Sequence, residues 1–251
     1  MCLILFSYND HPAYKLVLAA NRDEFYGRPT KNAGWWDDQP NLLGGKDLKE
    51  QGSWLAITRD GKFAAITNYR DPKHIKADAP TRGKLVTDFL LNDHTPEDYL
   101  KNLQESGSLY NGFNLIFGHQ NEIFYYTNAT NFYDKLAPGT YGLSNALLDT
   151  PWPKVVKGKN KFNNLLKANH DFPVEHAIKD LRDNHLAPDQ ELPDTGIGIE
   201  KERQLSSMFI EMSGYGTRCT TVITIDKQNE VRFKEVSYIP ENDFSTSFKI
   251  S

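Results

Sequence analysis

Apolar residues fall in short strand-length runs at both ends of this chain and in helical stripes between them. Cys2 to Tyr8 and Lys15 to Asn21 are two such runs, split by a polar turn with Asn9, Asp10 and Pro12, and they predict two strands. Ser53 to Arg59 and Lys62 to Asn68 flank Asp60-Gly61, a two-residue hairpin signal. Between these pairs, Phe25 to Gln51 carries Pro29, Trp35, Trp36, Pro40 and Gly44-Gly45. It reads as one long loop pinned by its two Trp.

The middle is helical. Leu85, Val86, Phe89 and Leu90 form a stripe behind Thr81 as a cap, and Thr95-Pro96-Glu97-Asp98 has the order cap, Pro, acid, acid of a second helix start. Gly112 to Gly118 and Glu122 to Asn128 read as a hairpin, and Gly139 to Asn145 as a further strand. Helices are expected from Val155 to Ala168 and from Val174 to near Asn184, the second with Val174, Ala177, Ile178 and Leu181 on one face. Leu186 to Lys201 reads as loop. Thr217 to Asp226 and Glu230 to Tyr238 read as a closing hairpin. Strands at both ends around helices predict a single α+β domain over residues 1–251, built on mainly antiparallel sheets.

Composition narrows the function classes. The 251 residues hold 29 Lys plus Arg against 33 Asp plus Glu, a net charge of −4, with 12% aromatics. Balanced charge and many aromatics exclude a disordered chain. The absence of a basic block argues against a nucleic-acid partner. The N-terminus has no basic segment before its short apolar run, and no run approaches the roughly 20 apolar residues of a membrane span. A soluble, cytoplasmic protein with reduced thiols is therefore expected. The seven histidines show neither H-E-x-x-H nor His-x-His, and no C-x-x-C is present, so no metal site is expected.

Two cysteines, Cys2 and Cys219, are too few for a disulfide framework or a four-thiolate zinc site. A Cys2–Cys219 disulfide is disfavoured in a reducing compartment. Position 2 has chemical meaning of its own. If Met1 is removed, the Cys2 thiol and its own α-amine share one residue. That amine titrates near 8, far below lysine, and so serves as general base for the adjacent nucleophile. Against this stands the plain reading of Cys2 as a small buried apolar residue in a strand. Cys219, beside Arg218, reads as a packing residue. Apolar runs also end repeatedly in polar groups: Asn21-Arg22-Asp23-Glu24, Asn68-Tyr69-Arg70, Ser144-Asn145 and Thr217-Arg218. Arg and Asn supply oxyanion donors, and carboxylates hold a positive group; each cluster also reads as an ordinary strand end.

Taken as an ordered set, Met1-Cys2-Leu3, Ala20-Asn21-Arg22-Asp23-Glu24, Gly44-Gly45-Lys46-Asp47, Gly52-Ser53-Trp54-Leu55, Thr67-Asn68-Tyr69-Arg70, Thr81-Arg82-Gly83, Asn111-Gly112-Phe113-Asn114, Asp149-Thr150-Pro151-Trp152-Pro153-Lys154 and Gly216-Thr217-Arg218 resemble the NRDE family, also called the transport and Golgi organisation protein 2 family. The resemblance implies a four-layer αββα fold like that of the N-terminal-nucleophile hydrolases. On that pattern Cys2 is nucleophile and base, Arg22 and Asp23 steady the amine and thiolate, and Asn68 supplies an oxyanion donor. Asn145 binds the amine or the substrate carbonyl, and Arg218 tunes the thiol. The hydrolase template separates its Arg and Asp by two residues, whereas here they are adjacent, so Asn21 or Glu24 remains an alternative inward-facing residue. Adjacent residues on a regular strand point to opposite faces, and a bulge or strand end is needed for both to serve.

Two functions follow from the resemblance. One is a cysteine amidohydrolase acting on a non-peptide C–N bond of a small molecule, with no cofactor. The other is a non-enzymatic carrier of haem or an acyl lipid on the same fold. For the carrier, Trp35 and Trp36, with Phe25 and Tyr26, would line the ligand pocket; ordinary packing is the alternative reading of these rings.

Overall fold

The computed structural model describes residues 2–168 and 170–250. In chain order its elements are strands β1 (Cys2–Tyr8), β2 (Tyr14–Phe25), β3 (Thr30–Trp35), β4 (Leu42–Asp47), β5 (Leu55–Thr58) and β6 (Phe63–Asn68), then helices α1 (Gly83–Leu91) and α2 (Pro96–Ser106). Strands β7 (Phe113–His119), β8 (Glu122–Thr127), β9 (Phe132–Lys135) and β10 (Gly139–Leu143) lead to helices α3 (Pro153–Ala168), α4 (Val174–Leu181) and α5 (Ile199–Gln204). The chain closes with β11 (Glu211–Met212), β12 (Tyr215–Asp226), β13 (Glu230–Tyr238) and β14 (Glu241–Lys249). The strands form two antiparallel sheets, as the sequence predicts. Among the described residues no helix is long and apolar enough to cross a membrane.

The first compact unit comprises the chain up to Gly27 and Ala137–Phe248. Its sheet has the order β10-β1-β2-β12-β13-β14, with β11 beside β12. Strand alternation sends Leu3, Leu5, Val17, Ala19 and Val222 to one face, where they pack on Val155, Phe162 and Leu166 of α3 and Ala177, Ile178 and Leu181 of α4. This is the apolar stripe expected for α4. The opposite face carries Ile4, Phe6, Leu18 and Ile223, all fully buried, and it also carries Cys2.

The second unit is Arg28–Leu136, together with the chain from Lys249. Its sheet runs in simple order from β3 to β9. Thr95 caps α2 as expected, its Oγ1 accepting from the Asp98 N–H at 3.1 Å. Helix α1 differs from expectation: Arg82, not Thr81, precedes its first residue, and no side chain caps it.

Three departures from the sequence reading have two physical causes. The segment read as a long loop contains β3 and β4, and two edge strands, β9 and β14, were not anticipated. Strand β4 is Leu-Leu-Gly-Gly-Lys-Asp, and its glycines hide it. Gly44 is required there, because a Cβ would lie 2.6 Å from the Leu55 carbonyl oxygen. Every residue of β9 is exposed and β14 is mostly so. Their ladders come from the neighbouring strand rather than from burial of their own side chains.

Candidate active site

Antiparallel register fixes the centre of the candidate site. Cys2 pairs directly with Arg22 across β1 and β2, and Arg22 pairs with Cys219 across β2 and β12. Directly opposed residues share a face, so Cys2, Arg22 and Cys219 form one row, with Ser237 next on β13. All four are buried. Because β2 lies between β1 and β12, two strand spacings put the cysteines about 9–10 Å apart. That exceeds the roughly 7 Å limit for a disulfide, and both thiols are free. The disulfide alternative is thereby excluded by topology.

Arg22 and Asp23 take opposite faces by the regular alternation of β2, and the bulge lies on the neighbouring strand. Asp23 pairs with Thr217 and Arg22 with Cys219, so Arg218 is the extra residue on β12. Arg22 keeps the Cys2 face. Asp23 turns to the opposite face, where its Oδ1 accepts from Thr217 Oγ1 at 2.7 Å. Its backbone N–H meanwhile hydrogen-bonds the Cys2 sulfur. Asp23 therefore serves Cys2 through its main chain, and Arg22 through its side chain. Of the two alternatives left open, Asn21 is a strut on the helix face. Its amide donates to the Leu181 and Met208 carbonyls at 2.9 and 2.8 Å, and its oxygen accepts from Thr220 at 2.6 Å. Glu24 is half-buried, and its carboxylate accepts from the Phe25 N–H.

The electrostatics oppose one another. Burial pushes the Cys2 thiol up and the Asp23 charge adds to that, while the Asp23 N–H and the Arg22 guanidinium pull it down; the net direction is up. Burial likewise raises the Asp23 carboxyl, against the pull of Lys154 and the Thr217 hydrogen bond. Burial, together with the Glu235 carboxylate, lifts the Cys219 thiol well above its ordinary value.

The remaining candidates occupy distinct places. Asn145 is buried just past β10. The Ser144 hydroxyl next to it donates to the Cys2 carbonyl at 3.0 Å and lies 3.3 Å from Asn145 Oδ1, tying that strand end to Cys2. Arg218 is buried and clamps main chain: Nε and Nη2 donate to the Ile239 carbonyl, and Nη1 donates to that of Phe25 at 3.0 Å. Asn68 ends β6 in the second unit, paired with Phe113. Trp35 and Trp36 belong to that unit as well. The Arg59 guanidinium lies 3.8 Å over the Trp35 ring, and the buried Trp36 donates its indole N–H to the Gly44 carbonyl at 3.0 Å. Met1, whose removal would free the Cys2 amine, lies outside the described residues.

Two neighbours of the site escaped the sequence reading. Lys154 is buried in the first turn of α3, and its charge pulls the Asp23 carboxyl down against the push of burial. Glu235 is buried on β13 and accepts from Thr221 and Ser237. The available signal for Lys154 was a cation at the start of a helix, where acids are favoured; Glu235, in an alternating strand, gave none.

Residues 1–240 match the family described as Transport and Golgi organisation 2. The chain belongs to that family. The human Transport and Golgi organization protein 2 homolog is 40% identical to it over 262 residues, which span 96% of this chain and 95% of the human protein. The Drosophila melanogaster Transport and Golgi organization protein 2 is 31% identical, over 94% of this chain and 91% of its own length. Among solved structures, the Caenorhabditis elegans N-acylethanolamine-hydrolyzing acid amidase ortholog superposes with a TM-score of 0.52 at 10% identity, over 88% of this chain and 92% of that one. At that identity the likeness establishes the fold. This Transport and Golgi organisation 2 family member thus has an N-terminal-nucleophile-hydrolase-like fold, with two antiparallel sheets and five α-helices among the described residues.

Proposed function

We propose that this family member is a cysteine amidohydrolase of the N-terminal-nucleophile type, cleaving a non-peptide C–N bond of a small molecule. One observation carries the reading: Cys2 is at the start of a buried strand with Arg22 directly opposite and the Asp23 N–H on its sulfur. A thiol in ordinary core packing does not need a cation and a main-chain donor aimed at it, whereas a thiolate does.

After loss of Met1, the Cys2 amine takes the thiol proton, and the sulfur attacks the amide carbonyl. The tetrahedral intermediate collapses with transfer of that proton to the leaving amine, leaving a thioester. Water, activated by the same amine, then releases the acid and restores the thiol. Asn145, buried in the same unit as Cys2, holds the amine or substrate carbonyl in this scheme, and the oxyanion needs a further donor. One oxyanion donor contributes about 2.7–4 kcal/mol to such a step. The amide-cleaving activity in the name of the nematode neighbour supports an amide as substrate class.

Intact-mass measurement of the native protein tests the first requirement, since a chain that keeps all of its Met1 cannot use this base. With Met1 absent, Cys2→Ser and Cys2→Ala are expected to abolish turnover of an amide library. Turnover that persists in Cys2→Ala sinks the proposal.

A further inference from the structure

The loop that leaves β10 is closed at its neck by Asp149. Its Oδ1 accepts from the Gly142 N–H at 2.8 Å, and its own N–H donates to the Gly142 carbonyl at 2.8 Å. β10 is the edge strand of its sheet, and Asp149 takes the main-chain groups that the outer side of such a strand presents. The Asp149 backbone has φ 57°, a left-handed conformation that Asp and Asn adopt more readily than most residues. Lys159 of α3 donates to the same carboxylate oxygen at 2.7 Å. Helix α3 lies so close over the neck that a Cβ on Gly142 would be 2.8 Å from Val155 Cγ1. The loop carries Ser144 and Asn145, both buried. The last β10–β1 pair is Leu143 with Ile4. Beyond it the Ser144 hydroxyl donates to the Cys2 carbonyl at 3.0 Å, and Asn145 Oδ1 lies 3.3 Å from that hydroxyl.

We propose that Asp149 is a positioning residue for Cys2: by closing the loop at Gly142 it holds the Ser144 hydroxyl on the Cys2 carbonyl and Asn145 beside it. The inference rests on the reading of Cys2 as an N-terminal nucleophile. On that reading, loss of Met1 makes Cys2 the end of the chain, and a terminal residue is poorly ordered unless it is tied down. Pairing with Arg22 ties it to β2, and Ser144 ties it on the β10 side. The bridge to Gly142 outweighs the ion pair with Lys159, because the Asp149 side chain is 37% exposed and ion pairs in such places contribute little. Asp149 thereby gives a role to the conspicuous Asp149-Thr150-Pro151-Trp152-Pro153-Lys154 segment, which otherwise supplies only the start of α3.

The test is iodoacetamide alkylation of both cysteines against pH, followed by peptide mapping. Asp149→Gly removes the carboxylate while favouring the positive φ. Asp149→Asn keeps an acceptor and the same backbone preference. Ser144→Ala removes the last link to Cys2. In Asp149→Gly and Ser144→Ala the first residue of β1 loosens, and part of the burial that raises its thiol is lost. Cys2 alkylation at pH 7 is then expected to rise about tenfold for each unit by which the thiol falls, with the rate profile moving to lower pH. Cys219, two strands away on β12, should keep its wild-type rate and so reports any general loosening. Asp149→Asn should match wild type at both cysteines. A double variant of Asp149→Gly with Ser144→Ala should react no faster than either single variant, because both break one chain of contacts. A wild-type Cys2 profile in either single variant, equal acceleration of Cys2 and Cys219, additive effects in the double variant, or Asp149→Asn behaving as Asp149→Gly would each overturn the role. Failure of Asp149→Gly to fold would overturn it as well, making Asp149 a requirement of the fold rather than of Cys2 placement. No readout depends on turnover, so an inactive wild-type enzyme defeats the amidase reading while the two-cysteine comparison still decides this one.

Discussion

Arg22 and Cys2 are direct antiparallel partners, buried side by side on the face of the first sheet that turns away from α3 and α4. A guanidinium stays charged at any working pH. Its position therefore sets a constant pull on the thiol, against the upward push of burial.

Removing that pull has a definite sign. Arg22→Met should raise the Cys2 thiol further, and below that value the thiolate fraction falls tenfold for each unit of rise. Cys2 alkylation at pH 7 is expected to slow by about tenfold for a one-unit rise, with Arg22→Lys intermediate. Equal rates in wild type and Arg22→Met would show that Arg22 does not act on the sulfur.

Much of this arrangement was legible from the residues alone. The two hairpin pairs, the Thr95 cap and the stripes of α1 and α4 are local patterns, and local patterns survive into the fold. The grouping of Cys2, Arg22, Asp23, Asn145 and Arg218 in one compact unit also follows from strands at the two chain ends joining one sheet. What the residues could not reveal is the division of labour inside Asn21-Arg22-Asp23-Glu24. That depends on the β1–β2 register, which sets Arg22 opposite Cys2, and on a bulge at Arg218, nearly two hundred positions away, which sets Thr217 opposite Asp23. Pairing of distant strands decides which face each residue takes, and no local signal encodes it.

The division of labour can be measured. Asn21 satisfies two buried main-chain carbonyls and accepts from a buried hydroxyl. Asn21→Ala strands both carbonyls, at about 1–3 kcal/mol for each. Glu24→Gln, at a half-buried position, should stay within about 0.5 kcal/mol. Urea unfolding of the two variants checks the contrast. Similar costs would mean that Asn21 is not the strut of the motif.

Gly44 and Gly45 are neighbours in β4 with opposite tolerances. A Cβ on Gly44 meets the Leu55 carbonyl at 2.6 Å and the Ala56 Cβ at 2.8 Å, whereas on Gly45 the nearest atom is 3.5 Å away. Gly44→Ala should cost about 1–3 kcal/mol from overpacking, and Gly45→Ala little. Thermal melts that rank them the other way would contradict the close approach of β4 and β5.

Cys219 links the buried row to an alkaline stability limit. Its thiol donates to Glu235, whose carboxylate also accepts from Thr221 at 2.8 Å and Ser237 at 3.2 Å. Burial, reinforced by that carboxylate, lifts the thiol well above its ordinary value near 9. The folded state thus holds a proton that the unfolded chain gives up above pH 9. Stability from this group is complete below that pH and is lost as pH rises toward the folded-state value, at up to about 1.4 kcal/mol per pH unit. Cys2, Tyr99 and Tyr126, the last raised to about 12, act in the same direction, so wild type alone cannot isolate Cys219. Cys219→Ser keeps a donor for Glu235 and removes the titration. Its unfolding free energy should run parallel to wild type from pH 7 to 8.5 and fall less steeply from pH 9 to 10.5. Curves that stay parallel through pH 10.5 would mean that the Cys219 thiol is not held protonated by its buried carboxylate.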